Sequence, residues 1–446
     1  MAALFFCVTL KPMRPRLLAL ARWAFLGSLI GLLTGCAGAL FLYLLEHATA
    51  YRVAQPQIVW LLPLAGLVLG WAFQAFGQRV IAGNNLVLDT YHDGGPNLPL
   101  RMGPMVLLGT VWSHLFGASV GREGTGVQMG ASLADSVASW AKADPRLRSQ
   151  LIAAGLAAGL ASVFGTPLAG LVFGLEVALL GELDTAALVP ALFAALLADW
   201  CTRAFPIHHI VFPQLDPIHL DPLTLLRLAA LACAVAATGW VFIEGVHALK
   251  ARAARWLPSL PLRLAAGGAL VVLLWQCFGA GDYLGLSTPL ISQALGPAAP
   301  PAWAFALKLL LTIVSLGFGF IGGEVTPLFV SGACLGAALA PWLGLPAPLA
   351  AGVGLAALFG ACANVPLAMT VMAVELFGGS VLGPVAWVAV LAWLLLGHRS
   401  IYASQRLRRA KHGGEDWAKR PRMADLRGDG SEALPAPKPS PRRRQR

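Results

Sequence analysis

Glu123 lies in "GREGTGVQMG" (121–130), between glycines and inside an apolar part of the chain. An ionisable group at membrane depth is a functional candidate by default, because burying its charge is costly. A glycine-rich interruption that opens a new helix leaves several backbone N–H groups unpaired, and with the helix dipole these favour an anion beyond the N-terminus. Three such breaks occur, "GNNLVLD" (83–89), "GREGTG" (121–126) and "GGEVTP" (322–327). If they converge, they bind an anion without a buried Lys or Arg, whose permanent charge would hold it too tightly for turnover. The Glu123 carboxylate can occupy such a site itself and leave on taking up a proton, which couples anion movement to proton movement. The bland alternative is a glutamate capping its own helix. Arg122 is expected to pair with an acid near the aqueous edge and has no direct role.

The elements that position these residues follow from composition. The 446 residues are 57% hydrophobic and 12% charged, too little polar surface to cover a soluble globule of this size. Runs such as 24–45, 58–76 and 225–243 are long enough to cross or enter a bilayer, so the chain reads as an all-α polytopic membrane protein. The net charge of +11 does not point to nucleic acid. Of the 32 Lys and Arg, 13 lie between Ala403 and Arg446 against 5 acids, and Lys11, Arg14, Arg16 and Arg22 mark the other end. Basic residues at both ends place both termini in the cytoplasm, with an even number of full crossings. "LTGC" (33–36) mimics a lipoprotein cleavage site, but the apolar run continues past Cys36, so a retained first helix is expected. Gly27, Gly31 and Gly35 suit close packing against a neighbouring helix. The seven cysteines (7, 36, 201, 233, 277, 334 and 362) have no CxxC pair and read as packing residues.

The two halves of the chain overlay. Gly121 and Gly322 each begin G-x-E-x-T, and "PLAGLVFGLE" (167–176) and "PLAMTVMAVE" (366–375) each run from proline to glutamate. The spacing from Glu123 to Glu176 is 53 residues and from Glu324 to Glu375 is 51. That is the pattern of a transporter built from two repeats, with its site where broken helices of both halves meet. The repeats are expected at 17–205 and 223–403, after a cytoplasmic segment 1–16 and joined by a loop at 206–222. A basic disordered cytoplasmic tail follows at 404–446. Glu176 and Glu375 are expected to cap neighbouring helix ends, and His114 to be a packed histidine with one hydrogen bond. The histidines of "PIHHIVFPQLDPIHLDP" (206–222) lack a metal-ligand pattern, and neither a metal nor a cofactor is expected.

With "SIY" (400–402), these motifs resemble the CLC family of chloride channels and anion/proton antiporters, from about Leu17 to Tyr402. The resemblance implies two inverted structural repeats whose broken helices meet at a central anion site, and a homodimer in a bacterial inner membrane, each subunit having its own pathway. Glu123 falls on the family's external gating glutamate, and Tyr402 on the tyrosine facing the central anion. Asn84 stands where chloride-handling members carry serine, "GREGT" replaces "GREGP", "GGEVTP" replaces "GGIFAP", and Val177 stands where many chloride/proton antiporters have an internal glutamate. These departures resemble the fluoride-selective bacterial branch, and so imply fluoride/proton antiport. Fluoride, small and strongly hydrated, needs short directed donors, which Asn84, the Thr326 hydroxyl and the backbone around Val325 and Thr326 would supply. Glu324 is the candidate for the proton route that Val177 cannot serve. A chloride/proton antiporter and an uncoupled anion channel remain alternatives. An intramembrane enzyme is remote, since no G-x-S-x-G, H-E-x-x-H or phosphate-loop motif is present.

Overall fold

The apolar runs fold as helices whose ends are marked by proline, glycine and aspartate. The computed structural model describes residues 13–207, 209–279, 281–411 and 420–427. The first half holds α1 (Met13–Ala54), α2 (Leu62–Phe76), α3 (Asn84–Asp93), α4 (Met102–Leu115), α5 (Glu123–Trp140), α6 (Pro145–Phe164), α7 (Pro167–Glu176) and α8 (Leu188–Arg203). The second holds α9 (Pro222–Trp256), α10 (Leu260–Phe278), α11 (Thr288–Leu295), α12 (Ala304–Phe318), α13 (Val325–Leu343), α14 (Ala347–Ala363), α15 (Pro366–Phe377) and α16 (Leu382–Leu395). Among the described residues, seven helical segments are long and apolar enough to cross a membrane, Leu17–Ala54 and Pro222–Trp256 among them. α1 runs unbroken through Cys36. Pro145, Pro167, Pro222 and Pro366 each open a helix, where a missing N–H costs nothing. Asp144 and Asp221 cap α6 and α9 by accepting from Leu147 N and Thr224 N.

Small residues let the helices approach to backbone contact. A Cβ on Gly130 of α5 would strike the carbonyl of Gly155 in α6, and one on Gly332 of α13 would strike that of Gly354 in α14. The two halves thus use the same device for the same helix pair. Gly27, Gly31 and Gly35 of α1 abut Pro190, Ala194 and Ala198 of α8, as their spacing predicts. The same contact brings Cys36 Sγ within 3.5 Å of Cys201 Sγ, a pairing that the scattered cysteine positions did not disclose.

The helices correct the register of the repeat by one residue. Gly121 and Gly323 pair as an antiparallel bridge, Gly121 N donating to Gly323 O (2.5 Å) and Gly323 N to Gly121 O (2.7 Å). Arg122 and Glu324 are the cap residues, so Glu123 and Val325 are the equivalent first helical residues. The shared G-x-E-x-T is therefore a coincidence of spelling: Glu324 corresponds to Arg122, not to Glu123. Backbone pairing fixes the register, and a short letter pattern cannot see it.

At the other end of the repeat the glutamates cross over. The Glu375 carboxylate accepts from Leu168 N (2.9 Å) and Ala169 N (2.7 Å) at the start of α7. That of Glu176 accepts from Leu367 N (3.1 Å) and Ala368 N (2.8 Å) at the start of α15. Each half caps the other's helix, so the structural reading of both residues holds. The tail departs from expectation: its first part is ordered. Arg406–Leu407 forms a short parallel strand with Leu179–Leu180, and Leu407 and Met423 are buried against Leu180. Backbone pairing and two apolar side chains outweigh the basic composition there. Residues 1–12, 412–419 and 428–446 lie outside the described residues.

Removing a crossed cap strands two N–H groups, each costing about 1–3 kcal/mol. Glu176→Ala and Glu375→Ala should therefore lower the melting temperature of the detergent-solubilised protein, with the Gln variants intermediate because one acceptor oxygen survives. Unchanged melting in both Ala variants would show that the caps contribute nothing.

Candidate functional site

Gly83 has φ +57° and ψ −130°, a conformation reserved for glycine, and it turns the chain so that Asn84 starts α3. Ser119 is fixed just ahead of Glu123 by its side-chain contact with Thr312 (2.9 Å) and by the bond from its N–H to the Ser315 hydroxyl (3.0 Å), both on α12. The antiparallel bridge then sets the starts of α5 and α13 side by side.

In this arrangement the fully buried Glu123 carboxylate does not cap its own helix. It lies on the N-terminus of α13, accepting from Thr326 N at 3.1 Å and from the Thr326 hydroxyl at 2.7 and 2.5 Å. Arg122 Nε is 3.3 Å from the same carboxylate. The acid that Arg122 pairs with is therefore its own neighbour, because the turn before α5 folds the guanidinium back over the helix start. Glu324 faces the opposite way. Its carboxylate is 3.5 Å from Asn84 Nδ2 and shares one cavity with the buried Tyr402. Asn84, Glu123, Glu324, Val325, Thr326 and Tyr402 thus form one cluster, in which two carboxylates hold two separate sets of donors. A cavity of about 180 Å³ reaches Asn84, Glu324 and Tyr402, while Glu123 and Thr326 are not in its lining. The donors are those that suit a small, hard anion: an amide, a phenol, a hydroxyl and a helix-end N–H.

A family model for voltage gated chloride channels matches residues 65–397, from within α2 to the end of α16, and so contains all three breaks and the helix starts they open. The chain belongs to the voltage-gated chloride channel family. Within this CLC family it is 45% identical over 403 residues to a "chloride/fluoride channel protein" of Pseudomonas syringae pv. tomato, covering 88% of each chain. It is 28% identical over 395 residues to the H(+)/Cl(-) exchange transporter ClcA of Cronobacter sakazakii, covering 79% of this chain and 81% of the relative. Among solved structures, a CLC-type fluoride/proton antiporter matches with a TM-score of 0.84 and 33% identity, over 87% of this chain and 98% of that one. The CLC fold, a place in the membrane and a transport role rather than an enzymatic one follow.

Three features escaped the sequence reading. Lys308, fully buried in α12, donates to Ser119 Oγ (3.0 Å), Tyr283 O (3.1 Å), Gly285 O (2.6 Å) and Ser287 Oγ (2.9 Å), and so ties down the approach to Glu123. A lysine inside an apolar helix was the signal available for it. Asn85 Oδ1 accepts from Ser404 N at 3.0 Å. Gln405 donates to Val177 O (2.8 Å) and Ala363 O (3.0 Å) and accepts from Asn364 (2.8 Å). These bonds latch the segment carrying Tyr402 onto α3, α7 and α14, and no motif marks them. Val177 is buried, and its carbonyl serves this latch. His114 is buried with one ring bond, Nδ1 to Thr110 O at 2.8 Å, as expected.

Asn85→Ala removes the acceptor of Ser404 N. Losing about 1.4 kcal/mol or more corresponds to a tenfold or greater rise in local opening. Amide hydrogen exchange over residues 403–407 should rise accordingly, with the transmembrane helices unaffected; unchanged exchange there would mean that Asn85 does not hold the latch.

Proposed function

We propose that this chain is a fluoride/proton antiporter that exports cytoplasmic fluoride in exchange for protons, as a homodimer in the inner membrane with both termini cytoplasmic. The observation that carries the reading is the Glu123 carboxylate seated on the N-terminus of α13, held by the N–H and the hydroxyl of Thr326. A carboxylate oxygen there takes the donors that a small anion would take. Protonation weakens those bonds, since charge-assisted hydrogen bonds are roughly twice as strong as neutral ones. Glu123 then leaves carrying a proton, and an anion replaces it. Two repeats, 17–205 and 223–403, meeting at this point give each half one wall of the site.

Glu324 supports the same cycle from the cavity side. It faces Asn84 and Tyr402 as Glu123 faces Thr326, and its Oε2 lies against Gly124, the residue after Glu123. A proton passing between them would take a route that does not involve Val177. Fluoride over chloride rests on the donor set and on the relatives, one named for chloride and fluoride and one solved as a fluoride/proton antiporter. Fluoride returns more energy per short bond than chloride, so Asn84 and Thr326 favour it.

Fluoride and chloride efflux from proteoliposomes, with proton uptake recorded under a fluoride gradient, tests the proposal. Fluoride movement should drive protons uphill, and Glu123→Gln should abolish that coupling. Glu324→Gln should lower coupled flux about tenfold or more, the equivalent of roughly 1.4 kcal/mol. Thr326→Val and Asn84→Ala should each narrow the preference for fluoride over chloride. Fluoride flux without protons would make the protein a channel, and equal chloride flux would remove the assigned selectivity.

A further inference from the structure

The cavity below Asn84, Glu324 and Tyr402 has an outer end that the proposed cycle does not use. Lys250, in the last turns of α9, and Arg263, in the first turn of α10, both line it. Lys250 is exposed, and Arg263 Nε is buried against Gly319 with no hydrogen-bond partner. A buried guanidinium donor left unpaired beside a cavity calls for an acceptor there. Glu324 at the inner end is the acid among the lining residues, set against these two cations. Glu244, also on α9, does not offset them, because Arg399 Nε already holds it at 3.2 Å. His247, one turn before Lys250, has its Nε2 3.2 Å from the carbonyl of Ser400. Lys250, Arg263 and Glu324 line one cavity, so the cations and the inner carboxylate share one field along it.

We propose that Lys250 and Arg263 form an anion-capture site at the cavity mouth, which draws a small monovalent anion from the cytoplasm and hands it inward to Asn84 and Tyr402. This rests on the transport reading above and on the chain end that follows the cavity-lining Ile401 and Tyr402 being cytoplasmic. Positive charge in a cleft with low-dielectric walls focuses field lines and raises the local concentration of anions. It does so without trapping them, because Lys250 is open to solvent and the inner site is built from dipoles. The two tasks are separated: cations at the mouth gather any small anion, and neutral donors deeper in choose among them.

Inverted membrane vesicles, cytoplasmic face outward, test the site with fluoride added outside and initial coupled flux measured against concentration. Lys250→Gln and Arg263→Gln should each raise the apparent KM about three- to tenfold while the maximal rate stays within about twofold, and Lys250→Glu should raise it further. Lys250→Arg should restore the wild-type KM, and added salt should shrink the differences by screening. In right-side-out vesicles the same variants should leave KM unchanged. An unaltered KM in inverted vesicles, or an equal change on both faces, overturns the proposal. If the wild type moves chloride but not fluoride, the fluoride reading falls while the KM shift, measured with chloride, still decides whether the mouth captures anions.

Discussion

A helix that starts inside a membrane has donors that no water reaches. Most of this structure is an answer to that constraint. α5, α7, α13 and α15 all begin after a break or at a proline, and three of those starts receive a carboxylate from the opposite half of the chain: Glu375 on α7, Glu176 on α15 and Glu123 on α13. Because the partners come from different halves, neither half satisfies these three helix starts by itself, and the two are bound to fold against each other.

The same arrangement sets one kind of acid in two different donor environments. Glu176 and Glu375 each bind two successive backbone N–H groups at a proline-led start. Glu123 meets one N–H and a hydroxyl, is fully buried, and lies outside the lining of the cavity that Glu324 reaches. The acid is the same in all three, and what differs is its donor set, two backbone N–H groups for Glu176 and Glu375 against one N–H and a hydroxyl for Glu123. Close packing makes that distinction durable. Glycine-to-carbonyl contact between α5 and α6, and between α13 and α14, leaves the helix starts no freedom to drift.

Positioning on the far side depends on a part of the chain that composition dismissed. Tyr402 follows the last membrane helix, and its place is set by Asn85, Asn364 and Gln405 together with the short strand at Arg406–Leu407. Polar side chains bonding to buried backbone make this segment specific. Its basic residues read as a solvated tail, yet Arg406 pairs with Asp93 and the buried Lys411 donates to the carbonyl of Trp393.

The sequence by itself determined that the chain spans a membrane in two related halves, that three glycine-led breaks open helices, and that the four glutamates matter. Each follows from short-range facts: run length, the conformations of glycine and proline, and the cost of burying charge. Tertiary structure alone decided which helix each glutamate serves. Crossed capping, the one-residue shift that pairs Gly121 with Gly323, and the closeness of Cys36 to Cys201 all join residues far apart in the chain. Their contacts are set by backbone pairing and helix packing, which leave no periodicity or spacing in the sequence to be read.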